Sequence, residues 1–195
     1  MGINFRLRER VQGVGINDSK RRFAELIATG LGSGYFPVAP ATAGSALALL
    51  IYWVLPFPGA GDSPAFFLMI AGTLVAGTIA AAVIIAPSRR PSGVEAGQGE
   101  QGRSGAAGWS KDESDPKRCV IDEFVGVWAT CLFLPTTWAW LLAAFLMFRA
   151  LDILKPFGIR RLEKFPGAYG IMADDLAAGL LGAGVLNAVR LFFFS

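Results

Sequence analysis

Four small polar groups interrupt an otherwise apolar chain. Arg149, Asp152 and Lys155 follow at three-residue steps at the end of a long apolar run, just before Pro156. On a helix that spacing keeps side chains on roughly one face. A guanidinium, a carboxylate and an ammonium then point the same way where the chain leaves apolar surroundings, and Pro156 stops the helix. Asp122 and Glu123 are adjacent acids between Ile121 and Phe124. Asp174 and Asp175 are a second such pair, at the head of the last apolar stretch. Neighbouring acids in an apolar stretch are costly unless paired, bound to metal or facing water. Thr42 and Ser45 follow Pro37 and Pro40 at the start of another apolar run. A helix N-terminus with free N–H groups and hydroxyls is a natural phosphate site. Plainer readings exist for each group alone: an ion pair at a helix end, an exposed helix start, an N-cap on a helix dipole. None of them requires all four at equivalent places, and a pair of acids is more than capping needs.

The composition narrows the chemistry. The chain has no histidine, which removes imidazole as nucleophile, general base or metal ligand. Carboxylates, hydroxyls, lysine and arginine are left, and carboxylates without histidine or thiolate suit a hard cation such as Mg²⁺. The 195 residues, 53% hydrophobic and 17% charged, suit one domain over 1–195 with more apolar content than an ordinary globular protein. The net charge of +3 is modest. No basic stripe is interleaved with aromatics and no zinc-finger spacing occurs, so nucleic acid is not an expected partner. Cys119 and Cys131 form no CxxC pair and read as buried free thiols.

The elements that must carry these groups read as helices. Residues 1–33 form a basic surface segment with Arg6, Arg8, Arg10, Lys20, Arg21 and Arg22, without the apolar core of a signal peptide. Within it, Asp18 or Ser19 can cap a short amphipathic helix holding Phe23, Leu26 and Ile27. Apolar stretches at about 41–57, 65–86, 120–134, 136–154 and 175–194 predict an all-α, multi-span membrane bundle of about five helices. Gly72, Ala76 and Ala80 repeat at four-residue steps, as in a small-residue packing face. Residues 87–118, rich in Gly, Ser and charge, read as a flexible polar loop. Asp115 near its end is a weaker site candidate. Residues 156–173 read as a polar connection. With the N-terminus cytoplasmic, the outer connections 58–64 and 135 hold no Lys or Arg. Of 18 basic residues all but Arg190 then fall inside, a strong positive-inside bias. The four polar clusters converge on that cytoplasmic face. A hairpin over 120–154 dipping part-way into the membrane is the alternative.

The chain resembles the phosphatidylglycerophosphatase A family over roughly residues 22–187, apart from 87–114. The resemblance rests on four stretches in order: Gly34–Ser45, Asp122-Glu123-Phe124-Val125-Gly126, Phe148–Pro156 with Arg149, Asp152 and Lys155, and Gly170–Gly179 with Asp174 and Asp175. The family's first box is usually Pro-Gly-Thr-x-Gly-Ser, where this chain has Ala41 for the glycine. Gly158 stands for a usual proline, and Gly167-Ala168 for two glycines. The resemblance implies an Mg²⁺-dependent, multi-pass enzyme of the bacterial inner membrane. Its substrate would be phosphatidylglycerophosphate, converted among membrane lipids to phosphatidylglycerol and phosphate. In that setting Asp122, Glu123, Asp174 and Asp175 are the expected ligands of one or two Mg²⁺. Asp152, with Asp122 and Asp175, takes the catalytic positions, Asp152 as a further ligand or a base. Arg149 and Lys155 clamp the phosphate, helped by Thr42 and Ser45. The alternative class is a small ion-coupled transporter, which would place such acids near the bilayer midplane on broken helices, often within internal repeats.

Overall fold

The computed structural model describes residues 18–55, 60–85 and 118–193. These form six α-helices: α1 (Asp18–Ala28), α2 (Pro40–Val54), α3 (Pro64–Ile85), α4 (Ile121–Thr130), α5 (Trp138–Leu154) and α6 (Ala168–Phe193). Short 3₁₀ helices occupy Ser33–Tyr35, Ala60–Asp62 and Pro156–Lys164, and the described residues contain no strand. Asp115 and nearly all of the 87–118 loop lie outside the described residues, as do residues 1–17 of the basic segment.

The helices alternate in direction, so the starts of α2, α4 and α6 and the ends of α3 and α5 meet at one end of the bundle. α4 is the axis. Every one of its residues except Asp122 is buried. It is tied at both ends: the N–H of Val120 donates to the Ala28 carbonyl at 2.9 Å, and Asn187 Nδ2 of α6 donates to the Leu132 carbonyl at 2.9 Å just beyond its far end. Midway, the buried Trp128 Nε1 donates to the Ala48 carbonyl of α2 at 2.8 Å. An indole in an apolar core needs such a partner. Arg190, the one basic residue at the far end by the charge count, donates to the Phe133 carbonyl.

α4 and α6 cross closely because glycines face each other. A Cβ at Gly179 would collide with the Gly126 carbonyl oxygen, and one at Gly126 with the Phe148 ring. The small-residue stripe expected on α3 is only partly a packing face. Gly72 is exposed with open space around it, whereas Gly77 meets Met172 and Ile121, and Ala80 and Ala81 are buried.

The five expected spans reduce to two. Among the described residues, only α3, over Pro64–Ile84, and α6 are long and apolar enough to cross a membrane, and α2 is a shorter apolar helix. α4 has 10 residues, about 15 Å of helix, and its apolar character serves the protein core. α5 has 17 residues, about 25 Å, short of the ~30 Å apolar slab. α6 starts at Ala168, earlier than the expected 175, so residues 168–173 are helical rather than part of a connection. The connection itself contains the 3₁₀ helix Pro156–Lys164. Large side chains nevertheless stay exposed along the bundle, among them Leu68, Val75 and Ile79 of α3 and Leu142 and Leu146 of α5.

Candidate active site

Four helices, α2, α4, α5 and α6, deliver polar groups to the shared end. Asp122 and Glu123 occupy the first turn of α4. Arg149 and Asp152 lie in the last turns of α5, and Lys155 is its C-cap. Lys155 has φ 44°, in the left-handed region, where glycine is usual and another residue costs about 1–2 kcal/mol. The sharp stop before Pro156 aims its ammonium back across the bundle. Asp174 and Asp175 stand in the second turn of α6, both buried. They are therefore not N-caps, which removes the plainer reading of that pair.

The side chains form one network. Arg149 Nη1 donates to Glu123 Oε2 at 2.6 Å and to Asp152 Oδ2 at 2.9 Å. Lys155 Nζ lies 2.6 Å from Asp174 Oδ2 and 4.0 Å from Asp152 Oδ1. Ser45 Oγ, fully buried, donates to Glu123 Oε2 at 2.9 Å and also lies 3.0 Å from the Ala41 carbonyl. Such buried networks hold geometry firmly when their members are satisfied. Beside the network is a cavity of about 370 Å³ lined by Asp122, Glu123, Asp152, Lys155, Ile171, Asp174 and Asp175.

The charges do not balance. Five carboxylates line the cavity, and two cations, Arg149 and Lys155, pair with three of them. With all ionised, the described residues leave three negative charges uncompensated. Neither Asp122 nor Asp175 has a basic side chain within ion-pair distance among the described residues. Asp174 Oδ1 is buried without a hydrogen-bond partner. A buried, unpartnered carboxylate oxygen is expensive and calls for a cation or water. Among the described residues no three acids are already drawn together as a ligand set. Mg²⁺ does not need such a set. It keeps several waters and takes one or two carboxylates. The all-oxygen donors, the excess charge and the orphan oxygen of Asp174 fit a hard divalent cation.

Of the residues singled out from sequence, Asp122, Glu123, Asp152, Lys155, Asp174 and Asp175 line the cavity, and Arg149 bridges two of them. Arg149 uses Nη1 for both bonds. Guanidinium carries five N–H donors, more than these two bonds use. Ser45 lies behind Glu123 and orients it. Thr42, half-buried in the first turn of α2, is outside the cavity wall. Ala41, where the family has glycine, is already helical, a place where alanine is the better residue. The left-handed position is Ala39, with φ 53°. Sequence reasoning missed Ile171 in the wall and the Gly126–Gly179 crossing that sets α4 against α6. Both depend on long-range packing that no local spacing reports.

Comparison with known proteins gives the family. The sequence pattern of the family described as "Phosphatidylglycerophosphatase A" matches residues 103–190. A Bacteroides thetaiotaomicron protein named "Putative phosphatidylinositol-3-phosphatase" is 38% identical over 158 residues, covering 80% of this chain and 86% of that protein. Phosphatidylglycerophosphatase A of Escherichia coli is 31% identical over 163 residues, covering 83% of this chain and 80% of that protein. Its namesake in Haemophilus influenzae is 47% identical over 73 residues, covering 36% of this chain and 45% of that protein. No solved structure matches the chain at a significant level. With relatives of this identity aligned over most of both chains, the chain belongs to the phosphatidylglycerophosphatase A family.

Proposed function

We propose that this phosphatase removes the terminal phosphate of phosphatidylglycerophosphate at a membrane surface, with Mg²⁺, to give phosphatidylglycerol. One observation carries the reading: five carboxylates and two cations gather around one cavity at the end of a bundle with exposed apolar flanks. A phosphomonoester on a lipid lies at that depth. Asp122, Glu123, Asp174 and Asp175 would hold the metal, which supplies charge neutralisation at the phosphoryl oxygens and a more acidic water.

The chain's own residues set the geometry. Arg149 would offer its remaining guanidinium N–H donors, a fork suited to two phosphate oxygens. Lys155, at the end of the same helix, adds a second positive charge. The N-terminal ends of α2, α4 and α6 point their positive dipole ends at the same place. Asp152, lying between Arg149 and Lys155, is the carboxylate placed to take a proton from the attacking water. The basic residues concentrated at this end support a cytoplasmic orientation in a bacterial inner membrane. The acids lie at helix ends rather than midway along broken helices, which disfavours the transporter reading.

The test is phosphate release by the purified protein from phosphatidylglycerophosphate, with Mg²⁺ and with EDTA. Release that EDTA abolishes and Mg²⁺ restores is the expected result. Phosphatidylinositol 3-phosphate, suggested by the name of the Bacteroides relative, belongs in the same assay. A clear preference for it would replace the proposed substrate, and no release from either would reject the activity.

A further inference from the structure

We propose that the groove between α2 and α5 holds one acyl chain of the lipid whose phosphate the carboxylate site receives. This rests on the function proposed above. The groove has a volume of about 310 Å³, and its walls include Ala46, Leu49 and Trp53 of α2 with Trp138, Leu142 and Phe145 of α5. None of these belongs to the carboxylate cavity.

Continuity with that cavity identifies the occupant. On α5, Trp138, Leu142, Phe145, Arg149 and Asp152 succeed one another at steps of four and three residues, one helical stripe. Its first three members line the groove and its last two belong to the polar network. On α2, Thr42, Ala46, Leu49 and Trp53 follow the same steps, and Ser45, beside Ala46, bonds Glu123. The α5 wall therefore changes from charged to apolar within about one helical turn, and the uncharged α2 wall changes from hydroxyl-bearing to apolar at the matching level. A ligand matching that sequence of surfaces has an anionic head joined to a hydrocarbon chain running along the helices. From Ala46 to Trp53 the walls extend about 10 Å at 1.5 Å per residue. At the far end the rings of Trp53 and Trp138 meet with centroids 4.7 Å apart, closing off the length that can be held. The outer side is open, with Trp53, Trp138 and Leu142 about half exposed or more, so a chain can enter sideways from surrounding lipid. A helix from a second copy would find its apolar track ending at Arg149 and Asp152, and fits this surface less well.

The experiment fills the groove and reads chain-length selectivity. Ala46 is exposed, so Ala46→Phe adds bulk without entering the core. For wild type and A46F, kcat/KM is compared between dioleoyl and dibutanoyl phosphatidylglycerophosphate. The ratio should fall about ten-fold or more in the variant, because several methylene contacts are lost. An unchanged ratio overturns the proposal. A second readout needs neither turnover nor the variant. Phosphatidylglycerophosphate with a diazirine midway along one acyl chain is photolysed on the wild-type protein. Adducts on Leu142, Phe145 or Leu49 support the groove. Adducts confined elsewhere, or protein-to-protein cross-links through these residues, overturn it. If wild type releases no phosphate from either lipid, the function above fails while the cross-linking still decides the groove.

Discussion

Asp152 distinguishes chemistry from packing at this site. It accepts from Arg149 at 2.9 Å and lies 4.0 Å from Lys155. Asparagine has nearly the same shape and its carbonyl can still accept from Arg149. If Asp152 only pairs, Asp152→Asn should leave phosphate release close to normal. A lost acid–base role instead costs on the order of 10²-fold or more. The expected outcome is that large loss, measured as phosphate release, with an unfolding temperature close to wild type. Arg149→Lys should fall between, since the charge remains and the two-pronged contact goes. Asp174 tests the metal separately. Its Oδ1 is buried and unpartnered, so a bound cation should stabilise the fold by mass action. Mg²⁺ should raise the unfolding temperature of wild type, and Asp174→Asn should remove most of that rise. An equal rise in both would take Asp174 out of the metal site. At this scale the sequence was informative about residue type and spacing, because three-residue steps and adjacent acids are local features. It was silent on partners. Arg149 reaches back to Glu123 and Lys155 forward to Asp174, choices made by the tertiary fold.

Hydropathy identified six helices' worth of apolar and amphipathic chain but confused two kinds of apolar surroundings. α4 is apolar because it is the axis of a protein core, and lipid and core select the same side chains. Its length and near-complete burial reveal the difference only once its neighbours are in place. The start of α6 was read too late for a related reason. Gly167-Ala168-Tyr169-Gly170 looks like a loop, yet Ala168 and Gly170 are buried helical residues whose small size admits neighbours. The α4–α6 crossing gives a prediction on this scale. Gly179→Ala forces a Cβ into the Gly126 carbonyl, and overpacking of this kind costs about 1–3 kcal/mol. It should lower the unfolding temperature and, by moving Asp174 and Asp175 relative to Glu123, reduce phosphate release as well. Gly184→Ala is the control on the same helix. Nothing lies within 4 Å of its added Cβ, and alanine favours helix by about 1 kcal/mol over glycine, so stability should hold or rise. Equal destabilisation by both changes would mean that helix crossing is not what these glycines serve.

For the molecule as a whole, the described candidate-site residues are at one end and the opposite end carries mainly aromatic and apolar surface. The near end holds the cavity, α1 and the 3₁₀ helix with Arg160 and Arg161. The far end holds Asp62, Phe133, the Trp53–Trp138 pair and Arg190. That asymmetry follows from alternating helix direction together with basic residues kept to alternate connections, and the charge pattern alone predicts which end is cytoplasmic. Single cysteines can test it in a background with Cys119 and Cys131 replaced by alanine. Gly61 is unsuitable as a reporter, since any side chain there meets the Cys131 carbonyl, but Asp62 beside it is exposed. Arg160 is exposed at the other end. A membrane-impermeant maleimide added to intact cells should label Asp62→Cys and not Arg160→Cys, and permeabilised cells should label both. Labelling of Arg160→Cys alone in intact cells would invert the orientation and place the carboxylate site outside. Labelling of both in intact cells would mean that α3 and α6 do not carry the chain across. In that event the exposed apolar flanks of α2, α3 and α5 would have to rest on one leaflet, with the phosphate site still at the lipid headgroups.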